Sequence, residues 1–184
     1  MSATRQRPPI LYFAYGANMN SGQISSRCRI MPKVVAVATL PDYEIGFFGH
    51  SERWDGGEET AIVQPGGLLW GVVYELSLSA LDHLDSWQGI RLDGAGPYFH
   101  SPAEVIGKDG TTYSVLLYRK DILGKALMPS TEYLGHIVSG AEDHGLPAGY
   151  VRKLRAIASR KAGYAVPKPD DAEKALRSMV SCVC

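Results

Sequence analysis

The sequence predicts an α+β domain whose sheet is mixed or antiparallel. Short β-branched and aromatic runs at residues 10–14, 34–40, 43–48, 60–64, 69–76, 102–106 and 111–118 read as strands, and helical periodicities interrupt or follow them. Lys108-Asp-Gly110, between the last two runs, is a hairpin signal because an Asp-Gly pair tolerates the positive φ of a tight turn. Those two runs are therefore expected to pair antiparallel.

In chain order, residues 1–9 read as a polar tail, and the first strand, Ile10-Leu-Tyr-Phe-Ala14, breaks at once into Tyr15-Gly16-Ala17-Asn18-Met19. Where a buried strand stops at a glycine, a small residue and an Asn, successive backbone N–H groups can turn toward one point and hold an anion or a polarised carbonyl. Taken alone, the same pattern is an ordinary turn. Residues 54–57 and 93–97, rich in Gly and Pro, read as loops. A helix is expected to start near Ser79, whose hydroxyl caps it, to turn Leu81 and Leu84 inward and to stop at Gly89. A second runs from Ser130 with Leu134, Ile137, Val138 and Ala141 at helical spacing until Gly145. Pro147 opens a third with Tyr150, Leu154 and Ile157 as its buried stripe, and Asp170 caps a last short one. Nothing repeats internally, so residues 10–181 are expected to form one domain, with 182–184 as a tail.

Composition narrows the function classes. Nineteen Lys and Arg balance nineteen Asp and Glu without forming a basic stripe, which argues against nucleic acid and for a small-molecule partner. No apolar run reaches membrane-spanning length, and residues 1–8 lack the apolar core of a secretion signal, so a cytoplasmic location is expected. Cys28, Cys182 and Cys184 do not make a disulfide framework. The five histidines show no zinc-like spacing, so neither metal nor organic cofactor is expected. Oligomeric state is not encoded in any recognisable motif.

Further motifs follow the opening one: Leu69-Trp-Gly-Val-Val-Tyr-Glu-Leu76, then Leu81-Asp-His-Leu-Asp-Ser-Trp-Gln-Gly89, then Gly140-Ala-Glu-Asp-His-Gly-Leu-Pro-Ala-Gly-Tyr-Val-Arg-Lys-Leu-Arg-Ala-Ile157. Together these resemble the γ-glutamylcyclotransferase family from about Ile10 to Ile157. The resemblance implies a small β-barrel flanked by helices. It also implies a lyase in which a γ-glutamyl amine or amino acid attacks its own γ-carbonyl through its α-amine and releases 5-oxoproline. Tyr15, Gly16, Ala17, Asn18 and Met19 would then form the substrate cradle, with Tyr98 and Tyr150 adding hydroxyls and aromatic walls.

One departure matters. The family pattern puts a catalytic Glu before the glycine that closes the second motif, and this chain carries Gln88 there. A carboxylate at a helix C-terminus feels the negative end of the macrodipole, which raises its proton affinity toward a useful value. Gln keeps the shape but cannot accept a proton. Glu58 and Glu59, in a stretch similar to the family's Gly-Gly-x-Ala-Thr loop, are alternative bases, as are His100 and, one turn before Gln88, Asp85. Gln88 thus leaves several readings open. It fits an inactivated Glu→Gln variant that traps ligand without turning it over, a natural binding protein, or a scaffold turned to another cyclisation, elimination or isomerisation.

Overall fold

The computed structural model describes residues 9–169; the helix expected at Asp170 and the Cys182 and Cys184 pair lie outside them. Five strands, β1 (Ile10–Ala14), β2 (Lys33–Ser51), β3 (Gly56–Leu76), β4 (Phe99–Gly107) and β5 (Thr112–Arg119), close a barrel in the order β1-β3-β2-β4-β5. All neighbours are antiparallel except β1 and β5, which close the ring in parallel with Tyr12 opposite Leu116. The expected hairpin joins β4 to β5, with Gly110 at φ 84° and the Asp109 carboxylate accepting from the Thr111 N–H at 3.0 Å.

The seven predicted runs become five strands because two interruptions are absorbed rather than obeyed. Residues 34–40 and 43–48 are one strand, with a register shift between Pro41 and Tyr43. Asp42 takes φ 60° there and accepts from the Gly66 N–H of the partner strand at 2.8 Å, so the break becomes a bulge. Residues 60–64 and 69–76 likewise merge into β3. Gly56 and Gly57 open that strand instead of lying in a loop. A Cβ on Gly57 would stand 2.2 Å from the Leu127 carbonyl oxygen, so only glycine lets that segment cross the strand.

Alternation along the strands makes two cores. Phe13, Tyr15, Leu40, Leu69, Val73, Val105 and Leu117 fill the barrel, while Tyr12, Ala14, Val72, Tyr74 and Leu76 face the helices. Four helices follow: α1 (Ser21–Cys28), α2 (Leu78–Gln88), α3 (Thr131–Asp143) and α4 (Ala148–Arg155). The cap of α2 is Ser77 rather than Ser79: Ser77 is extended, and its hydroxyl accepts from the Ala80 N–H at 3.2 Å. The helix ends at Gly89, in the left-handed conformation, as expected. Ser130 caps α3. No expectation covered α1. Its only buried apolar side chains are Ile24 and Cys28, and it is held by its ends, the Asn20 side chain accepting from the Gln23 N–H at 3.0 Å and Arg29 closing it at φ 57°. No helix among the described residues is long and apolar enough to cross a membrane.

Candidate active site

A cavity of about 260 Å³ opens between the start of β3, the end of α2 and the face of α1. Trp54, Trp87, Tyr98 and Tyr133 supply aromatic walls, Arg27 and Arg53 two guanidiniums, and Glu58 and Glu59 two carboxylates. Gln88 joins them because it is the last residue of α2, where the left-handed Gly89 turns the chain away.

Glu59, one of the alternative bases, lies deep in this cavity. It is 7% exposed, and its Oε1 accepts from the Ala17 N–H at 3.4 Å. A Cβ on Gly16 would lie 2.0 Å from the same oxygen, so this chain's own carboxylate fills the space beside the loop after β1. Oε2 has no hydrogen-bond partner among the described residues. Burial, and then the neighbouring Glu58 charge, push the Glu59 carboxyl up to about 7, against the opposing pull of Arg27 and the Ala17 N–H. Glu58 is paired with Lys120 at 2.9 Å, and that ammonium lies 4.6 Å from the centre of the Tyr98 ring. The Tyr98 hydroxyl donates to the Glu59 carbonyl oxygen at 2.8 Å.

The cradle residues serve this arrangement from behind and do not themselves line the cavity. Tyr15 turns into the barrel, donating to the Tyr118 carbonyl and accepting from the Ala61 N–H at 3.1 Å, which takes its hydroxyl away from any ligand. Asn18 donates to the Tyr12 hydroxyl at 2.7 Å and accepts from Arg27 Nη1. Met19 is wholly buried, and its carbonyl accepts from the Tyr74 hydroxyl at 3.2 Å. Asn18 and the Gln23 side chain, the latter 2.8 Å from Nη2, aim the Arg27 guanidinium, which stacks 5.7 Å from the Trp54 centroid and 4.7 Å from that of Trp87. Burial lowers Arg27 to about 10, so it stays charged at neutral pH.

The other expected residues divide. Tyr98 lines the cavity with its ring, its hydroxyl being committed to Glu59. Tyr150 does not line it; it lies in α4 and packs between the two cores. His100 and Asp85 also lie outside the lining, bonded to each other at 2.7 Å, with the Tyr118 hydroxyl donating to the same Asp85 oxygen. Arg27, Arg53, Trp54, Trp87 and Tyr133 escaped the motif reading. Arg27 had no signal at all, because the helix that carries it was not legible.

The sequence profile of the AIG2-like family matches residues 68–154. The γ-glutamylcyclotransferase of Mus musculus is 34% identical over 161 residues, 84% of this chain and 82% of its own length. That of Homo sapiens is 33% identical over 151 residues, 80% of this chain and 78% of its own. A solved γ-glutamyl cyclotransferase structure superposes with a TM-score of 0.79 at 29% identity, covering 94% of this chain and 99% of that one.

Proposed function

We propose, since the chain belongs to the γ-glutamylcyclotransferase family, that its cavity takes a γ-glutamyl amine or γ-glutamyl amino acid and releases 5-oxoproline. The observation that carries this reading is the charge pattern. One small cavity presents two guanidiniums and two carboxylates, which matches the carboxylate and ammonium of an α-amino acid headgroup. The nucleophile belongs to the substrate, so the chain's task is to fold the ligand until its α-amine meets its γ-carbonyl. Such orientation is worth roughly 7–11 kcal/mol of barrier. The aromatic walls keep water from competing with the amine.

In this reading Gln88 is a positioning residue whose amide oxygen accepts a hydrogen bond from the α-ammonium. A hydrogen bond to a charged group contributes about 1.5–3 kcal/mol, so Gln88→Ala is expected to lower kcat/KM by roughly one to two orders of magnitude. The direct test is release of 5-oxoproline from a panel of γ-glutamyl amino acids and amines. No release from any member, with the protein folded, overturns the reading. The neutral side chain at position 88 favours a second one, a binding protein, and stoichiometric recovery of intact ligand in the same assay would identify it.

A further inference from the structure

We propose that Glu59 is the general base of this site, the catalytic carboxylate having moved from the end of helix α2 to strand β3. The inference rests on the cyclisation reading above. Three features of the geometry carry it. Glu59 lines the cavity with a buried carboxyl whose Oε2 has no partner among the described residues, leaving an unpaired acceptor in the cavity wall. Its backbone is fixed from both sides, the Tyr98 hydroxyl holding its carbonyl and the strand pairing it with Phe47. Gly16 leaves the space its carboxylate occupies. The exchange is also reciprocal: position 88, where the resemblance expects a Glu, is an amide, and the stretch similar to Gly-Gly-x-Ala-Thr gains a carboxylate at Glu59.

The proton inventory closes on this residue. The α-ammonium holds three protons. Glu59 accepts one, the freed amine forms its bond to the γ-carbon, and the tetrahedral intermediate breaks the bond to the leaving nitrogen. Glu59 returns its proton to that nitrogen and carries a second from the attacking nitrogen by the same route. The lactam keeps one N–H, the amine leaves as an ammonium ion, and the carboxylate ends as it began. A carboxyl near 7 is substantially ionised at neutral pH and so can accept the ammonium proton. The charged and titratable groups around it are Glu58 with its partner Lys120, Arg27 from α1, Arg53 from the turn before β3, Tyr12 and Tyr15 from β1, and Tyr98.

The test measures 5-oxoproline release and calorimetric affinity for a γ-glutamyl amino acid in wild type, Glu59→Gln, Gln88→Glu and the double variant. Wild type is expected to turn over with an acidic limb near pH 7. Glu59→Gln should bind the ligand and lose roughly 10²–10⁴-fold in kcat, because it keeps shape and forfeits proton transfer. The double variant, with its carboxylate returned to position 88, should regain turnover with a displaced acidic limb. Folding is read from affinity, since a Glu59→Gln protein that binds ligand is folded; should it fail to bind, Glu59→Asp supplies the measurement, with reduced kcat and a retained acidic limb expected. Turnover by Glu59→Gln equal to wild type overturns the assignment. An inactive, folded wild type overturns both the assignment and the cyclisation reading, and activity gained by Gln88→Glu in that case would show that the site lacks only its base.

Discussion

Gly16→Ala is expected to abolish 5-oxoproline release while leaving the barrel folded. The added Cβ would stand 2.0 Å from Glu59 Oε1 and 2.5 Å from Cδ and Cγ, distances no packed methyl group tolerates. Gly16 has φ −116°, open to any residue, so the substitution strains no backbone. What yields is the Glu59 side chain, which is pushed out of the cradle and away from the Ala17 N–H. Losing an aligned base corresponds to a factor of roughly 10²–10⁴ in kcat. Turnover and near-ultraviolet circular dichroism measured on one preparation check this. Undiminished turnover would mean that the loop is only a turn.

Arg27→Met is expected to damage binding and the pH profile together. Arg27 is 6% exposed, tethered by Asn18 and Gln23, and lies against two indole rings, so Met replaces much of its apolar stem but none of its charge. A charged hydrogen bond to the substrate carboxylate, worth about 1.5–3 kcal/mol, corresponds to a rise in KM of roughly one to two orders of magnitude. The Arg27 charge also favours the ionised form of Glu59. Removing it raises that carboxyl above about 7, and because the protonated form cannot accept a proton, the acidic limb moves to higher pH. The deficit should therefore be larger at pH 6.5 than at pH 9. A change in KM with an unmoved limb would separate Arg27 from the base.

The parts of the molecule legible in the sequence are those with local causes. The β4–β5 hairpin follows from Asp109-Gly110, the end of α2 from Gly89 and the start of α3 from Ser130, each a few residues of chemistry. The motifs point to Gln88 and Tyr98, and both residues line the cavity. What could not be read depends on distant partners. Gly56-Gly57-Glu58-Glu59 looks like a solvated turn until Leu127–Ser130 cross over it and the Gly16 loop, more than forty residues earlier, closes on Glu59. Arg27 sits in a helix whose residues are mostly Ser, Gly and Gln, formed because its ends are capped rather than because its face is apolar. Tyr15 and Tyr150 illustrate the reverse case: aromatic residues next to family-like motifs that packing has turned into the interior.

The buried carboxyl also ties the durability of the fold to acidity. In the unfolded chain Glu59 ionises near 4.5, whereas in the barrel it holds its proton to about 7. The folded state therefore binds the extra proton, and the sign follows from linkage: below 4.5 the side chain costs nothing as an ion, and the cost grows as pH rises to 7, reaching roughly 3 kcal/mol above it. A neutral Gln of the same shape escapes that cost. Glu59→Gln should accordingly melt several degrees above wild type at pH 8 and show little advantage at pH 5, as differential scanning calorimetry at the two values would reveal. An identical Tm difference at both would show that the carboxyl keeps its ordinary acidity in the fold. The residue that equips the cavity for proton transfer is thus also a weak point of the barrel in alkaline solution.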